Sequence, residues 1–588
     1  MTIQTENLNI LWASLIVEEL VRQNIDLFCI SPGSRSTPLT VAVARHHQAK
    51  SRIFYDERAA AYFAVGYARA TGKVAPLIAT SGTAMANYLP AVVEASADFV
   101  PMLILSADRP PELRQTGANQ TIIQPDIYGN YVRWQFDLPC PDEMIPPSMV
   151  LTTVDQACYR AHRSPAGPVH LNCMFREPLA PIPKEIPSNY LDSIQPWLHN
   201  QYPFTEYSKE GSFFDPNSDL MKRITGILEK TQNGLIVFGQ LRTTEERVQA
   251  VQLAERIHWP VFADVTSGLR LAKELSNQLV HFDLLLLSER FKQDLKPETI
   301  LHIGRQIISK RFLQFVEKYP PENYILVRDD PERYDPFHGI TLRLEADVAK
   351  FCHWIAENSQ NISDEKWVKS LLKVSQRAQQ IIKDVLKKNS KLNEPEIARI
   401  IARNLPGNWS LFLANSLPIR EVDMFASLEG QIVPVISNRG ASGIDGNIAT
   451  ACGYATGSHR PVTLLIGDLA FLHDLNSLML ISSLPQPIVI VLLNNQGGGI
   501  FSFLPIAQFD SVFEKYFTTP HNYSFEYAAR MFGIEYTSPK DLPEFSRIYR
   551  RAISKGRSIV IEVRTHRDEN FKLHQLIQQA IVKGLDFR

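Results

Sequence analysis

Two short runs of continuously apolar, mostly β-branched residues, Val462-Thr463-Leu464-Leu465-Ile466 and Pro487-Ile488-Val489-Ile490-Val491-Leu492-Leu493, constrain this chain more than any other feature. A strand that is apolar at every position, rather than at every second one, is covered on both faces, as in a parallel sheet. The intervening Phe471 to Ser483 fits a crossover helix, so the unit reads strand, helix, strand. Both strands then end at one edge of the sheet, where such folds bind ligands. The first run leads into Gly467-Asp468 and the second into Asn494-Asn495-Gln496-Gly497-Gly498-Gly499. An acid and an amide at neighbouring strand ends fit one cation that holds one phosphorylated ligand. Asp468 offers a carboxylate oxygen, Asn495 a side-chain carbonyl and Gly497 a backbone carbonyl, a hard-oxygen set suited to Mg²⁺. The glycines allow the backbone a close approach. Without the second run, Gly-Asp after a strand equally describes a turn followed by a helix cap.

The same alternation runs through the chain. Helical patterns at Asn9 to Gln23, Pro38 to His46 and Arg58 to Ala70 are interleaved with strand patterns at Leu27 to Ile30, Arg52 to Tyr55, Pro76 to Ala79, Met102 to Ser106 and Val169 to Asn172. A proline-rich stretch, Pro178 to Pro187, closes this first set, and residues 188–216 show no period and read as a linker. A second set (Leu235 to Phe238, Val261 to Ala263, Thr299 to Ile303, Tyr324 to Val327) ends near 350, and a charged helical stretch, Asp364 to Lys388, leads to a third. That third set is Leu411 to Ala414, Pro434 to Ser437, the two opening runs, and Ile559 to Val563. The fold class is α/β, with boundaries at 1–187, 188–216, 217–352, 353–390 and 391–588. At 588 residues the chain is long enough for three or four domains. A net charge of -1 gives no reason to expect nucleic acid or an anionic membrane as partner. The six cysteines form no Cys-x-x-Cys pair, which argues against zinc and a disulfide framework. With no export signal and no stretch long enough to span a bilayer, the expectation is a cytoplasmic protein.

Gly467-Asp468 and Asn494-Asn495, 27 positions apart, resemble the thiamin diphosphate fingerprint, Gly-Asp-Gly and then Asn-Asn. Leu469 stands where most of that superfamily has the second glycine. Gly-Asp-Leu is similar to one branch, the 2-succinyl-5-enolpyruvyl-6-hydroxy-3-cyclohexene-1-carboxylate synthase family of menaquinone and phylloquinone biosynthesis. The resemblance implies three doubly wound parallel-sheet domains of the thiamin diphosphate decarboxylase type. The first (1–187) would bind the pyrimidine, 217–352 would be the middle domain, 353–390 a helical connection, and 391–588 would bind the diphosphate. The middle domain has no Gly-x-Gly-x-x-Gly after a strand, so a nucleotide there is not supported.

Residue by residue, the resemblance implies a site. Glu57, where Arg52 to Tyr55 passes into the next helix, matches the catalytic glutamate that hydrogen-bonds pyrimidine N1′ so that the thiazolium C2 can lose its proton. From sequence alone the same glutamate is an acid at a helix N-terminus. Loops that follow strands carry arginines, whose forks match carboxylates bidentately. They are Ser34-Arg35, Arg109, Arg420 and Arg439, with Asn119-Gln120 downstream of Arg109. In the family's pattern Ser34, Arg35, Arg109, Asn119, Gln120, Arg420 and Arg439 hold substrate carboxylates or hydroxyls, and Lys310 and Arg311 contribute from the middle domain. Arg35, Gln120 and Arg439 join Glu57 as catalytic candidates. Ser416, Ile444, Asp468, Leu469, Asn495, Gly497, Ile500 and Phe501 surround the cofactor, with Ile444 propping its bent shape and Asp468, Asn495 and Gly497 holding Mg²⁺, or Mn²⁺ in its place. For Ile500 and Phe501, core packing is the competing reading.

The implied reaction is decarboxylation of 2-oxoglutarate and 1,4-addition of the remaining succinyl unit to isochorismate. Because the cofactor is itself the nucleophile, no Ser, Cys or Lys nucleophile is needed. The implied assembly is a homodimer or homotetramer with active sites at the subunit interface. Two alternatives stay open at this point: another thiamin diphosphate decarboxylase or carboligase of the acetolactate synthase kind, and a non-catalytic cofactor-binding protein.

Overall fold

A computed structural model describes residues 3–208, 214–271, 273–359 and 363–586. Residues 209–213 of the expected linker and 360–362 of the expected helical connection lie outside the described residues. The strands form three parallel sheets. The first contains β1 (Leu27–Ile30), β2 (Lys50–Ile53), β3 (Leu77–Ala79), β4 (Met102–Asp108), β5 (Trp134–Leu138) and β6 (Pro168–Met174), in the order β2-β1-β3-β4-β6-β5. The second contains β7 (Gly234–Phe238), β8 (Val261–Ala263), β9 (Thr299–Ile303), β10 (Asn323–Arg328) and β11 (Leu342–Glu345), in the order β11-β10-β9-β7-β8. The third contains β12 (Ser410–Leu413), β13 (Val435–Ile436), β14 (Val462–Gly467), β15 (Ile488–Asn494), β16 (Glu535–Thr537) and β17 (Ile559–Arg564), in the order β13-β12-β14-β15-β17-β16. The central strands β4, β6 and β15 are buried at every position, and β15 is continuously apolar up to Asn494.

Three strands escape the sequence pattern: β5, β11 and β16. Each lies at the edge of its sheet and is partly exposed. An edge strand has one covered flank and tolerates polar residues, so its pattern fades into that of a loop. The expected crossover helix is also broken, into Asp468–His473, a turn at Leu475–Ser477 and Leu478–Ile481. The break falls at Asp474, whose buried carboxylate accepts from Ser477 Oγ at 2.7 Å and from the backbone N–H of Ile448 and Ala449 at 2.7 and 3.1 Å. A side chain that caps another helix does so at the expense of its own.

The chain divides into two compact units: 1–209 with 438–459 and 473–485, and 210–437 with 460–472 and 486–588. In the first unit, helix Asn447–Ser458 lies along helix Glu57–Thr71 at backbone contact. A Cβ on Gly66 would stand 2.0 Å from the Thr450 carbonyl oxygen, and one on Gly453 would stand 1.9 Å from that of Phe63. Only glycine on both sides permits that approach. Ile194 and Trp197, within the segment expected to be an aperiodic linker, are buried in the first core with Trp12, Leu15 and Leu171. Trp197 Nε1 donates to Glu19 at 2.6 Å, and the Arg22 guanidinium stacks 3.8 Å above its ring.

Candidate active site

The order of winding reverses between β1 and β3 in the first sheet and between β12 and β14 in the third, the kind of strand end beside which such folds bind ligands. In the third, β14 pairs with β15 so that Gly467 is opposite Leu493. Asp468 and Asn494-Asn495 therefore leave the sheet side by side. Asp468 is 2% exposed. Its Oδ1 accepts from Leu469 N–H at 2.7 Å and its Oδ2 from Gly497 N–H at 3.0 Å, with His521 Nε2 3.3 Å from Oδ2. Burial pushes this carboxyl above the usual range, a cost that a bound cation would remove. Asn495 Nδ2 donates to Glu394 Oε1 at 3.0 Å, while Asn495 Oδ1 is buried with no hydrogen-bond partner among the described residues. Gly497 has φ +145°, and a Cβ there would stand 2.2 Å from the Thr518 carbonyl oxygen. A desolvated carboxylate, an orphaned amide oxygen and a glycine-only turn are the donor set that a divalent cation bridging to phosphate requires. They fit that group.

Around this edge, Leu469, Ile500 and Phe501 are half-buried, and Phe501 packs edge-on against Phe517 with ring centres 5.6 Å apart. Ser416 lies at the start of helix Leu417–Phe425 with φ +74°, and its carbonyl accepts from Arg420 Nη1 at 2.5 Å. Lys310 is exposed, whereas Arg311 is half-buried and ion-paired with Asp283, which also accepts from Ser309 Oγ at 2.5 Å.

The first unit holds the other predicted residues. Glu57 is the first residue of its helix, but the cap is Asp56, whose carboxylate accepts from Arg58 N–H at 2.9 Å. The capping role that a helix-start acid ordinarily has is thus taken by its neighbour. Glu57 Oε2 accepts from Asn87 Nδ2 at 3.3 Å. Arg35, after β1, donates to the Phe175 carbonyl at 2.9 Å and stands 3.5 Å from Glu177, with its Nε buried and unpaired among the described residues. Arg109, after β4, donates to Ser81 Oγ and, at 2.9 Å, to the Gln120 carbonyl. Burial and the positive charge of Arg35 together hold the Arg109 guanidinium below its usual range. Ser34, Asn119 and Gln120 are exposed beside them, Gln120 at φ +60° with its Cγ over Gly82. The half-buried Arg35, with an idle N–H, and the buried Arg109 thus press two positive charges together near Glu177.

Arg439 and Ile444 belong to this unit as well, and here the sequence reading missed an essential part. Glu94, 1% exposed, accepts from Arg69 Nη2 at 2.6 Å and Gly440 N–H at 2.9 Å on Oε1, and from Ala441 N–H at 2.7 Å on Oε2. The loop that carries Arg439 is thereby fastened to helices Glu57–Thr71 and Leu89–Ala97. Tyr62 donates to Asp445 at 2.8 Å beneath Gly446, and Ile444 is 39% exposed. Glu94, Glu394 and His521 carry no local signal, because each sits in a segment that reads as an ordinary helix or loop.

Comparison with known proteins gives the lineage. The thiamine pyrophosphate enzyme N-terminal TPP binding domain matches residues 12–128, the middle domain 188–413 and the C-terminal TPP binding domain 432–563. Thiamine pyrophosphate is the same compound as thiamin diphosphate. Proteins named 2-succinyl-5-enolpyruvyl-6-hydroxy-3-cyclohexene-1-carboxylate synthase are similar over nearly the whole chain. That of Rubrobacter xylanophilus is 47% identical over 97% of this chain and 98% of its own. Those of Prosthecochloris aestuarii and Salinibacter ruber are 44% and 42% identical, each over 98% of this chain and over 98% and 97% of their own. The chain belongs to this synthase family. The synthase family's three thiamine pyrophosphate domains account for the three sheets, and the cofactor expected from Gly467-Asp468 and Asn494-Asn495 stands. No helix among the described residues is long and apolar enough to cross a membrane.

Proposed function

We propose that this chain decarboxylates 2-oxoglutarate on thiamin diphosphate and adds the succinyl unit to isochorismate by 1,4-addition, releasing CO₂ and 2-succinyl-5-enolpyruvyl-6-hydroxy-3-cyclohexene-1-carboxylate. The observation that carries the substrate class is the Arg35–Arg109 pair, two guanidiniums whose charges repel, with the Arg35 Nε–H left over although Glu177 stands 3.5 Å from the same guanidinium. A pyruvate-sized substrate would leave that N–H unpaired, whereas the second carboxylate of a dicarboxylate can accept from it. Bound thiamin diphosphate supplies the nucleophilic carbon and the electron sink for loss of CO₂.

The chain's own residues do the rest. Asp468, Asn495 and the Gly497 carbonyl hold Mg²⁺, or Mn²⁺, against the diphosphate. Ser416, Leu469, Ile444, Ile500 and Phe501 line the cofactor. Glu57, with one oxygen steadied by Asn87, keeps the other for the proton at pyrimidine N1′. Ser34, Arg35, Arg109, Asn119, Gln120, Arg420 and Arg439, with Lys310 and Arg311, orient the carboxylates and hydroxyls of the two substrates. The assignment of domains is pyrimidine-binding 1–187, linker 188–216, middle 217–352, helical connection 353–390 and diphosphate-binding 391–588. The functional assembly is a homodimer or homotetramer in which Glu57 of one subunit serves Asp468 of another. The setting is a reducing cytoplasm, which suits six buried, unbridged cysteines.

The test follows isochorismate loss and CO₂ release with 2-oxoglutarate, thiamin diphosphate and Mg²⁺, against a Glu57→Gln control. Isochorismate-dependent turnover that the control lacks is expected. Preference for pyruvate would replace this reading by an acetolactate-type carboligase, and absence of CO₂ release by a non-catalytic protein. Mixing Glu57→Gln with Asp468→Asn subunits tests the shared site: with statistical exchange, about a quarter of the parent activity returns if sites are shared between subunits, and none if each chain is self-sufficient.

A further inference from the structure

Behind Asn495 lies a buried carboxylate that the reaction itself does not use. Glu394 is the first residue of helix Glu394–Asn404, capped by Asn393 through its side-chain bond to Glu396 N–H at 2.9 Å. Glu394 is 1% exposed. Its Oε1 accepts from Asn495 Nδ2 at 3.0 Å and from Thr565 Oγ at 2.9 Å. Thr565 itself is fixed just beyond β17, its N–H donating to the Asn494 carbonyl at 3.0 Å. Further back, Glu421 Oε1 accepts from His574 Nε2 at 2.7 Å and from Asn570 Nδ2 at 3.4 Å.

We propose that Glu394 is a positioning residue which, by accepting the Asn495 amide N–H₂, turns Asn495 Oδ1 toward the cation. The proposal rests on the reading of Asn495 as a cation ligand. A primary amide has an oxygen face and a nitrogen face of nearly equal shape, and packing alone does not choose between them. Only the oxygen ligates a cation. In the wrong rotamer Oδ1 would meet Glu394 Oε1, acceptor against acceptor, and the N–H₂ would face the metal. Both donors fall on the same oxygen, so Oε1 acts as an acceptor whichever charge Glu394 carries. The choice of rotamer is therefore a matter of lone pairs. Gly499 completes the clamp: a Cβ there would stand 2.8 Å from Asn495 Nδ2, so the amide lies against bare backbone with little room to shift. The orphaned Oδ1 on the far side is the consequence.

Partners that orient a metal ligand typically contribute about 10–100-fold to metal affinity. The test measures Mn²⁺ binding in the presence of thiamin diphosphate by the electron paramagnetic resonance of free Mn²⁺, independently of turnover. Glu394→Gln keeps an acceptor oxygen for both donors and is expected to bind within about threefold of the parent, whereas Glu394→Met removes it and is expected to bind about 10–100-fold more weakly. In an Asn495→Asp background, where either side-chain oxygen can ligate, adding Glu394→Met is expected to cost less than about threefold. Parent-like binding by Glu394→Met, an undiminished loss in the Asn495→Asp background, or a loss beyond about tenfold in Glu394→Gln overturns the proposal. If Glu394→Met does not fold, Glu394→Leu, which likewise offers no acceptor, takes its place in both arms. If the parent itself binds no Mn²⁺ with thiamin diphosphate, the cation site fails and the orientation of Asn495 with it; if only the variants disagree, the site stands and Glu394 has no part in it.

Discussion

Glu94→Gln separates the fold's hold on the Arg439 loop from the chemistry of the loop. Gln is isosteric, so the core around residue 94 keeps its shape. Its amide oxygen can replace Oε1 and go on accepting from Arg69 and Gly440, now 2.6 and 2.9 Å away. Its N–H₂ then faces the Ala441 N–H that Oε2 accepts at 2.7 Å, two donors in contact. The lost bond and the stranded buried N–H cost about 1–3 kcal/mol. Removing the negative charge beside the buried Arg69 adds about 1 kcal/mol, softened because Asp98 remains 2.8 Å from the same guanidinium. A total near 3 kcal/mol corresponds to about 100-fold easier local opening. Hydrogen exchange followed by mass spectrometry should show peptides spanning 438–446 exchanging about 100-fold faster, with other segments of the first unit little changed. The KM for 2-oxoglutarate should rise with it, because Arg439 rides on that loop. Unchanged protection in Glu94→Gln would refute the argument that this carboxylate fastens the loop.

Three further outcomes follow from the same contacts. Gly497→Ala forces an L-residue to φ +145° with its Cβ 2.2 Å from the Thr518 carbonyl oxygen, so the turn must move; calorimetry should show Mg²⁺–thiamin diphosphate binding weakened at least about tenfold. Arg35→Ala and Arg439→Ala should lower kcat/KM for 2-oxoglutarate by about 100-fold while leaving cofactor affinity within about twofold, and full turnover at low substrate would sink the carboxylate assignment. His170 and His302 are buried, and desolvation first of all holds both imidazoles down to about 4. Their folded values lie below the unfolded one near 6.5, so the stability they lend is present above pH 6.5 and is lost as pH falls toward 4, at up to about 3 kcal/mol each. Urea unfolding of His170→Asn between pH 7 and 4 should lose correspondingly less stability than the parent.

Legibility in the sequence followed a physical line. Central strands were readable because a parallel strand covered on both faces is mostly apolar, and Leu27–Ile30 and Thr299–Ile303 fall where the pattern puts them. The edge proposed for the cation was readable because its parts sit at the ends of two adjacent strands, and the β14–β15 register brings Asp468 beside Asn494-Asn495 without help from elsewhere. Glu57 was visible only through resemblance, since an acid at a helix start has a sufficient local explanation, which the structure gives instead to Asp56.

What the sequence by itself determined is therefore the set of three sheets, the glycine-rich turn and the side-by-side exit of Asp468 and Asn494-Asn495 from the third sheet, all of which follow from periodicity and backbone freedom over a few residues. What only the tertiary structure decided is which buried polar group answers which. Glu94 reaches Ala441 across 347 positions, Glu394 reaches Asn495 across 101, and the charge of Arg35 presses on Arg109 from another strand end. A lone buried donor or acceptor costs more than most single contacts contribute, so most are answered by a partner. The partner is chosen by how the sheets and helices pack, and no local pattern along the chain records that choice.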